Sequence, residues 1–381
     1  MPDCDPGSVS LATLLLGAGR TRDIAGVPAA PPTDSGSITR IAGERPAAFQ
    51  PDAVDVVLLH KQIAAIEGAE DALILAGGAV LPCALLALLR PGDHLIASRL
   101  VGSAERSLFQ HEFSRLGIDV TTVDPLASRA WRQALRKETR AVFAATPSDV
   151  AGRVLDLRPL SQLTRDAGLA LIVDSTRASP INFRALDLGA DVVVHAEATS
   201  LSGFDEVADG IVVGTAPYID EVRHKMIERK ATPDSFSCWL LERGLRTLDV
   251  RRQRQNDNAV ALARVLANHP DVRRVHYAGL ESHPDHELAR DTMSGFGAAL
   301  TVVLDDVAAA TRFLSRLRIF AVSTRLGSVA SLACEPRISP HNDLTPSQRS
   351  ELGIPDGAVR LIAGIEAASD LIADVVQALE R

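Results

Sequence analysis

Between Ala72 and Val213 the sequence alternates between short, nearly continuous apolar runs and longer stretches with helical spacing, which narrows the possible fold more than any other feature. The runs are Ala72–Leu75, His94–Ala97, Asp119–Val123, Ala141–Ala145, Leu169–Val173, Asp191–Val194 and Ile211–Val213, and each ends in a turn or a polar cluster. A strand with one wet face alternates polar and apolar residues, so a run that is apolar throughout needs cover on both faces. With helices between the runs, the pattern predicts an α/β fold with a mainly parallel seven-stranded sheet. Ligands of such sheets gather at the carboxyl ends of the strands. Asp174 and the loop from His195 to Thr199 fall at those ends.

The flanks read differently. Residues 1–55 are rich in Pro, Gly, Ala and Ser, and read as an N-terminal arm with one short helix near Leu11–Leu16. Val56, Leu59, Ile63 and Ile66 then recur at three- and four-residue spacing, the mark of a helix with one buried stripe. Past residue 240 a long helix from Leu241 to Leu266 leads to a smaller C-terminal α/β unit. Its expected strands are Val272–Val275, Ala299–Leu304 and Val359–Ile362, with helices near Ala308–Leu317 and Ala367–Leu379. The expected division is an arm over 1–55, a large α/β domain over 56–240, and a linking helix with a small domain over 241–381.

Composition removes several function classes. Hydrophobic residues make up 46% of 381, which describes a packed globular chain. A net charge of −8 without a basic block argues against nucleic acid or an anionic membrane as partner. Apolar runs such as Ala79–Leu89, interrupted by Pro82, are too short to span a bilayer, and Met1-Pro-Asp-Cys-Asp lacks the features of a signal peptide. The four cysteines (Cys4, Cys83, Cys238, Cys334) are scattered, with no pair at metal-ligand spacing. They imply reduced thiols, a cytoplasmic protein and no metal.

Several motifs, in order, carry a resemblance. Arg90-Pro-Gly-Asp-His94, Arg243-Gly-Leu-Arg-Thr-Leu248, Val275-His-Tyr-Ala-Gly-Leu-Glu-Ser-His-Pro284 and Val359-Arg-Leu-Ile-Ala-Gly-Ile-Glu366 are close to motifs of one family. From about residue 55 onward the chain resembles the Cys/Met-metabolism pyridoxal-phosphate (PLP) enzymes, the cystathionine γ-synthase and γ-lyase group. That resemblance implies PLP fold type I, PLP as cofactor, and a homodimer or homotetramer whose arm lies across a neighbouring subunit. It also makes Asp174 the partner of the cofactor's pyridine nitrogen, an electron-sink role. The alternative for Asp174 is a cap on the turn after its strand. Gly77 and Gly78 match the pair whose N–H groups meet the phosphate, or else form a plain strand-to-helix turn. Arg360 matches the arginine that grips the substrate carboxylate, or else is a salt bridge between domains. Arg325 enters where the family carries a small serine, and would fill the cleft or add an anion site.

Against these stand the losses. In the family's V-H-S-A-T-K-Y-L-G-G loop the lysine forms a Schiff base with the cofactor; here that position is Thr199, whose hydroxyl cannot form an imine. The flanking serine and threonine fall on Ala196 and Ala198, the stacking tyrosine on Val101, and the asparagine facing the ring oxygen on Asp149. The neighbour's tyrosine and arginine fall on Ala48 and Gln50. Four lost phosphate contacts at about 1.5 kcal/mol each amount to ~6 kcal/mol, or ~four decades of affinity. His195, Glu197 and Asp205 read as an acid–base set or as solvated loop residues. Lys225 and Lys230 lie outside the lysine position. The expectation is therefore a decayed PLP site without a catalytic residue, with PLP absent or held weakly and non-covalently, in a non-catalytic or reassigned homologue. The alternatives are a carbon–sulfur lyase or transferase that uses a non-lysine base, and a sensor binding a small carboxylate or amino acid at Arg360 and Arg325.

Overall fold

The structure, a computed structural model, describes residues 54–148, 150–325, 327–339 and 341–380. The expected arm, its helix near Leu11–Leu16, and Ala48, Gln50 and Asp149 lie outside the described residues. The first described element is α1 (Val54–Glu67). Its stripe is buried as the spacing requires, with Val56, Leu59, Ile63 and Ile66 exposed by 7% or less.

All seven expected runs are strands: β1 (Asp71–Leu75), β2 (His94–Ser98), β3 (Asp119–Val123), β4 (Thr139–Ala145), β5 (Ala170–Asp174), β6 (Val192–His195) and β7 (Gly210–Gly214). After β1 a 3-10 turn, Gly77–Ala79, runs straight into α2 (Val80–Leu88). One turn of helix, α3 (Thr199–Ser202), follows β6. The strands form one sheet in the order β1-β7-β6-β5-β4-β2-β3. Its pairs are parallel except that β7 runs against both β1 and β6. Ala72 and Ile74 enter one core while Leu73 and Leu75 enter another on the opposite face, and β4, β5 and β6 divide in the same way. Both faces are covered, which is why the runs show no polar alternation.

Where one long helix is expected there are two, α4 (Ser235–Leu245) and α5 (Leu248–Ala267). The break has a physical cause. Gly244 is pressed against α3, so that a Cβ there would come within 2.1 Å of Ser202 O. Gly244 O accepts from Thr247 N at 3.2 Å, a tighter i+3 bond, and from Arg251 Nη2 at 2.8 Å, so the regular ladder stops there. The core changes along α5: Leu248 packs with the first sheet, and Ala259, Leu262 and Leu266 with the second.

The second sheet comprises β8 (Arg274–His276), β9 (Ala299–Val303), β10 (Ala321–Val322), β11 (Leu332–Cys334) and β12 (Ala358–Ile362), in the order β10-β11-β12-β9-β8. Strands β10 and β11 were not expected; at two and three residues they are too short for a period to show. Helix α6 (Ala368–Leu379) closes the smaller core. Among the described residues no helix is long and apolar enough to cross a membrane.

Candidate functional site

A cavity of about 860 Å³ opens at the carboxyl edge of the first sheet. Because β1, β5 and β6 are parallel, Gly77, Asp174 and Thr199 all leave the sheet on this edge, and all three line the cavity. Strand β7 runs the other way, so it begins here: Gly210 is registered against Leu75. Its antiparallel direction brings Asp209, one residue earlier, to the start of α2.

At the β5 end the polar groups form a chain. Asp174, 5% exposed, accepts through Oδ1 from Thr176 N at 2.8 Å and also from Thr176 Oγ1. The same Thr176 oxygen accepts from Ala196 N at 2.7 Å, tying β5 to the segment that leads to Thr199. One oxygen of Asp174 thus caps the turn, as one sequence reading had it, while the residue still lines the cavity.

The Thr199 turn is fixed from beneath by two arginines that the sequence reading missed. Arg251 Nη2 donates to Leu201 O at 2.8 Å, and Arg252 Nη2 donates to Ser200 O at 2.7 Å. Burial lowers Arg251 to about 10 and Arg252 to about 9, so both remain cations at pH 7. Their hydrogen bonds go to carbonyls, Thr247 and Gln255, and Arg252 Nε is bonded to no described residue. A usable signal exists in the sequence. Leu248, Arg251, Arg252, Gln255, Ala259 and Leu262 share one helical spacing, so polar residues occupy places on an apolar stripe. Gly203, at φ 87°, ends the turn in the left-handed region that glycine adopts without strain.

Thr199 is 1% exposed, and its Oγ1 makes no hydrogen bond among the described residues. Asp209, also missed, is 7% exposed, and its Oδ2 has no partner among them. Burial pushes the Asp209 carboxyl up to about 6, with the backbone N–H of Gly77 facing it and pulling the other way, and Asp234 adding repulsion.

The remaining expected residues separate. Gly78 lines the cavity with Gly77. Arg325 also lines it and lies 3.9 Å from the exposed Asp205. Arg360, on β12, is 2% exposed, donates to Thr324 O at 3.0 Å, and is not among the residues lining the cavity. His195 and Glu197 do not act together: His195 Nε2 lies 2.5 Å from Glu67 Oε1, both side chains buried, while Glu197 stands on the cavity wall. Glu67, the missed partner, lies far away in sequence at the end of α1. Val101 is 3% exposed, Ala196 lines the cavity and Ala198 is fully buried. Among the described lining residues there is no lysine and no Phe, Tyr or Trp. Lys225 pairs with Glu228 at 2.9 Å on another helix. No cluster of His, Cys, Asp or Glu among the described residues is arranged to hold a metal.

The fold and the position of this cavity define a PLP fold-type-I protein. The family model for Cys/Met metabolism PLP-dependent enzymes matches residues 53–380, and the chain belongs to that trans-sulfuration family. An O-succinylhomoserine sulfhydrylase of Pseudomonas aeruginosa is 35% identical over 91% of this chain and 87% of its own length. A chloroplastic cystathionine gamma-synthase of Nicotiana tabacum is 34% identical over 85% of this chain, which spans only 61% of that relative. Among solved structures, a cystathionine gamma synthase from Xanthomonas oryzae, in complex with aminoacrylate and cysteine, superposes with a TM-score of 0.92 at 31% identity, covering 97% of this chain and 98% of the other. The metB structure from Corynebacterium glutamicum gives the same score at 30% identity over 99% of both chains.

Proposed function

We propose that this chain is a non-catalytic member of the family, one that keeps the cavity and has given up the covalent cofactor. Thr199 carries the reading: the residue in the lysine position is buried on a turn held by two arginines, and its hydroxyl cannot form an imine. The residues present do not fit PLP as a covalent group. Asp174 suits a protonated ring nitrogen, but the wall offers no Phe, Tyr or Trp and no lysine among its described residues. At the other end Ala196 and Ala198 have no side-chain donor, and Asp209 sets a carboxylate against Gly77 N–H. The cavity is instead suited to a small carboxylate or amino acid, since Arg115, Arg177 and Arg325 stand on the same wall as Asp174 and Glu197. Self-association as a homodimer or homotetramer belongs to the same reading; a purely monomeric native mass spectrum would remove it.

One observation supports a second reading. Glu197 lines the cavity two residues before Thr199, where a carboxylate base would serve a carbon–sulfur lyase or transferase acting on cysteine or homoserine derivatives. A single experiment separates the two. Purified protein titrated with PLP is expected to stay free of an imine band, and borohydride is expected to fix no pyridoxyl group. Thr199→Lys alone is expected to leave elimination activity at background. A stable reducible adduct on any lysine, or turnover abolished by Glu197→Gln, would overturn the non-catalytic reading.

A further inference from the structure

A buried carboxylate stands where this fold would otherwise receive an external anion. The N–H groups at the start of a helix favour negative charge. Gly77 and Gly78 open the helical segment that continues as α2, and both line the cavity. The antiparallel entry of β7 delivers Asp209 to this point, with Gly210 opposite Leu75 and Ala198 N bonded to Asp209 O at 2.7 Å. The backbone that carries Asp209 is tightly packed. Its neighbour Gly210 is packed so tightly that a Cβ there would lie 2.2 Å from Val80 and 2.8 Å from His195 O. The side chain is held at 7% exposure, facing Gly77 N–H, and Oδ2 has no partner among the described residues.

We propose that Asp209 is a specificity-determining residue, an internal anion that takes the place of a ligand's phosphate at Gly77 and restricts the cavity to unphosphorylated ligands. Two effects act in the same direction. The Gly77 N–H already faces a buried carboxylate, and a fixed negative charge repels a phosphate brought beside it in a partly dry site. Ala196 and Ala198 add no donor to offset this. The proposal deepens the non-catalytic reading and rests on it: the cavity stays open to small amines and carboxylates but is closed to the phosphorylated cofactor.

The test compares wild type with Asp209→Ala and Asp209→Asn, using PLP, pyridoxal and inorganic phosphate as probes at pH 8, read by equilibrium binding and by melting temperature. Wild type is expected to bind PLP no more tightly than pyridoxal. Asp209→Ala, which removes the charge beside the Gly77 N–H, is expected to bind PLP at least tenfold more tightly than wild type does, with pyridoxal unchanged. Asp209→Asn keeps the shape, removes only the charge and is expected to give a smaller gain; it also serves if the alanine variant fails to fold. A wild-type preference for PLP over pyridoxal of tenfold or more overturns the proposal, as does unchanged phosphate affinity in both variants. Borohydride trapping on wild type bears on the non-catalytic reading alone, so the two can fail separately.

Discussion

Asp174 and Asp209 are both buried carboxylates at the carboxyl edge of one sheet, yet the structure treats them in opposite ways. Asp174 Oδ1 takes two donors from Thr176, which passes the connection on to Ala196 N. Asp209 faces a single backbone N–H and has Oδ2 unbonded among the described residues, as the Thr199 hydroxyl also is. Buried polar groups in folded proteins are nearly always bonded, and exceptions concentrate where a site once served or still serves a ligand. The Asp174 end is therefore part of the scaffold whatever the cavity holds. The other end leaves two buried polar atoms, Thr199 Oγ1 and Asp209 Oδ2, without a bond among the described residues.

The frame beneath that end gives the largest expected effect. Arg251 holds Leu201 O and Gly244 O together, joining α3 to the break between α4 and α5. Removing a charged donor from buried carbonyls costs roughly 1.5–3 kcal/mol per bond. Arg251→Ala is therefore expected to destabilise the protein by about 3 kcal/mol or more in urea denaturation. A loss under about 1 kcal/mol would mean that the turn is not held from beneath, and the contrast between a bonded frame and the unbonded groups above it would go with it.

The Asp174 end is tested by Thr176→Val, which keeps the shape and removes the hydroxyl. Asp174 loses a donor and Ala196 N loses its acceptor, so the expected cost is about 2 kcal/mol. An unchanged midpoint would show that this end is no better satisfied than the other.

The sheet was legible because its signal is local: each apolar run encodes a strand covered on both faces, and Asp174 follows directly from the end of one of them. The departures from the family's loop at Thr199, Ala196 and Ala198 were legible in the same way, as residue types at fixed places in a motif. Glu67, Arg251, Arg252 and Asp209 were not, because their roles arise from partners remote in sequence. Asp209 reaches Gly77 only because β7 is antiparallel, a direction that no run of Ile and Val announces. The expected helix from Leu241 to Leu266 failed for a similar reason: the carbonyl at the break, Gly244 O, is taken by the Arg251 side chain, a bond that helical spacing does not announce.

The smallest expected effect has the opposite sign. Asp209 is charged at neutral pH only by paying for burial, so Asp209→Asn should stabilise the fold. The carboxyl, at about 6, sits above the ordinary carboxylate range because of burial, with Asp234 adding to the shift and Gly77 N–H opposing it. Such a group binds its proton more tightly in the folded than in the unfolded chain. Its penalty is absent at low pH, grows as the unfolded carboxyl ionises near pH 4, and is complete above pH 6. The full penalty is at most about 3 kcal/mol, and the amide keeps part of the burial cost, so a gain of about 1 kcal/mol at pH 8 is expected. Wild-type stability alone cannot show this. Burial holds His60 down at about 3 and His276 at about 4; these groups lose stability as pH falls below 6.5 and mask Asp209. Cys238 also faces the carboxyl, but burial keeps its thiol neutral throughout this range. The difference between variant and wild type cancels these contributions. It should favour the variant most at pH 8, fall to about zero near pH 5, and turn in favour of the wild type toward pH 4, where the neutral carboxyl carries no ionisation penalty. A difference independent of pH, or one favouring the wild type at pH 8, would show that Asp209 is as well satisfied as Asp174 and that the two ends do not differ.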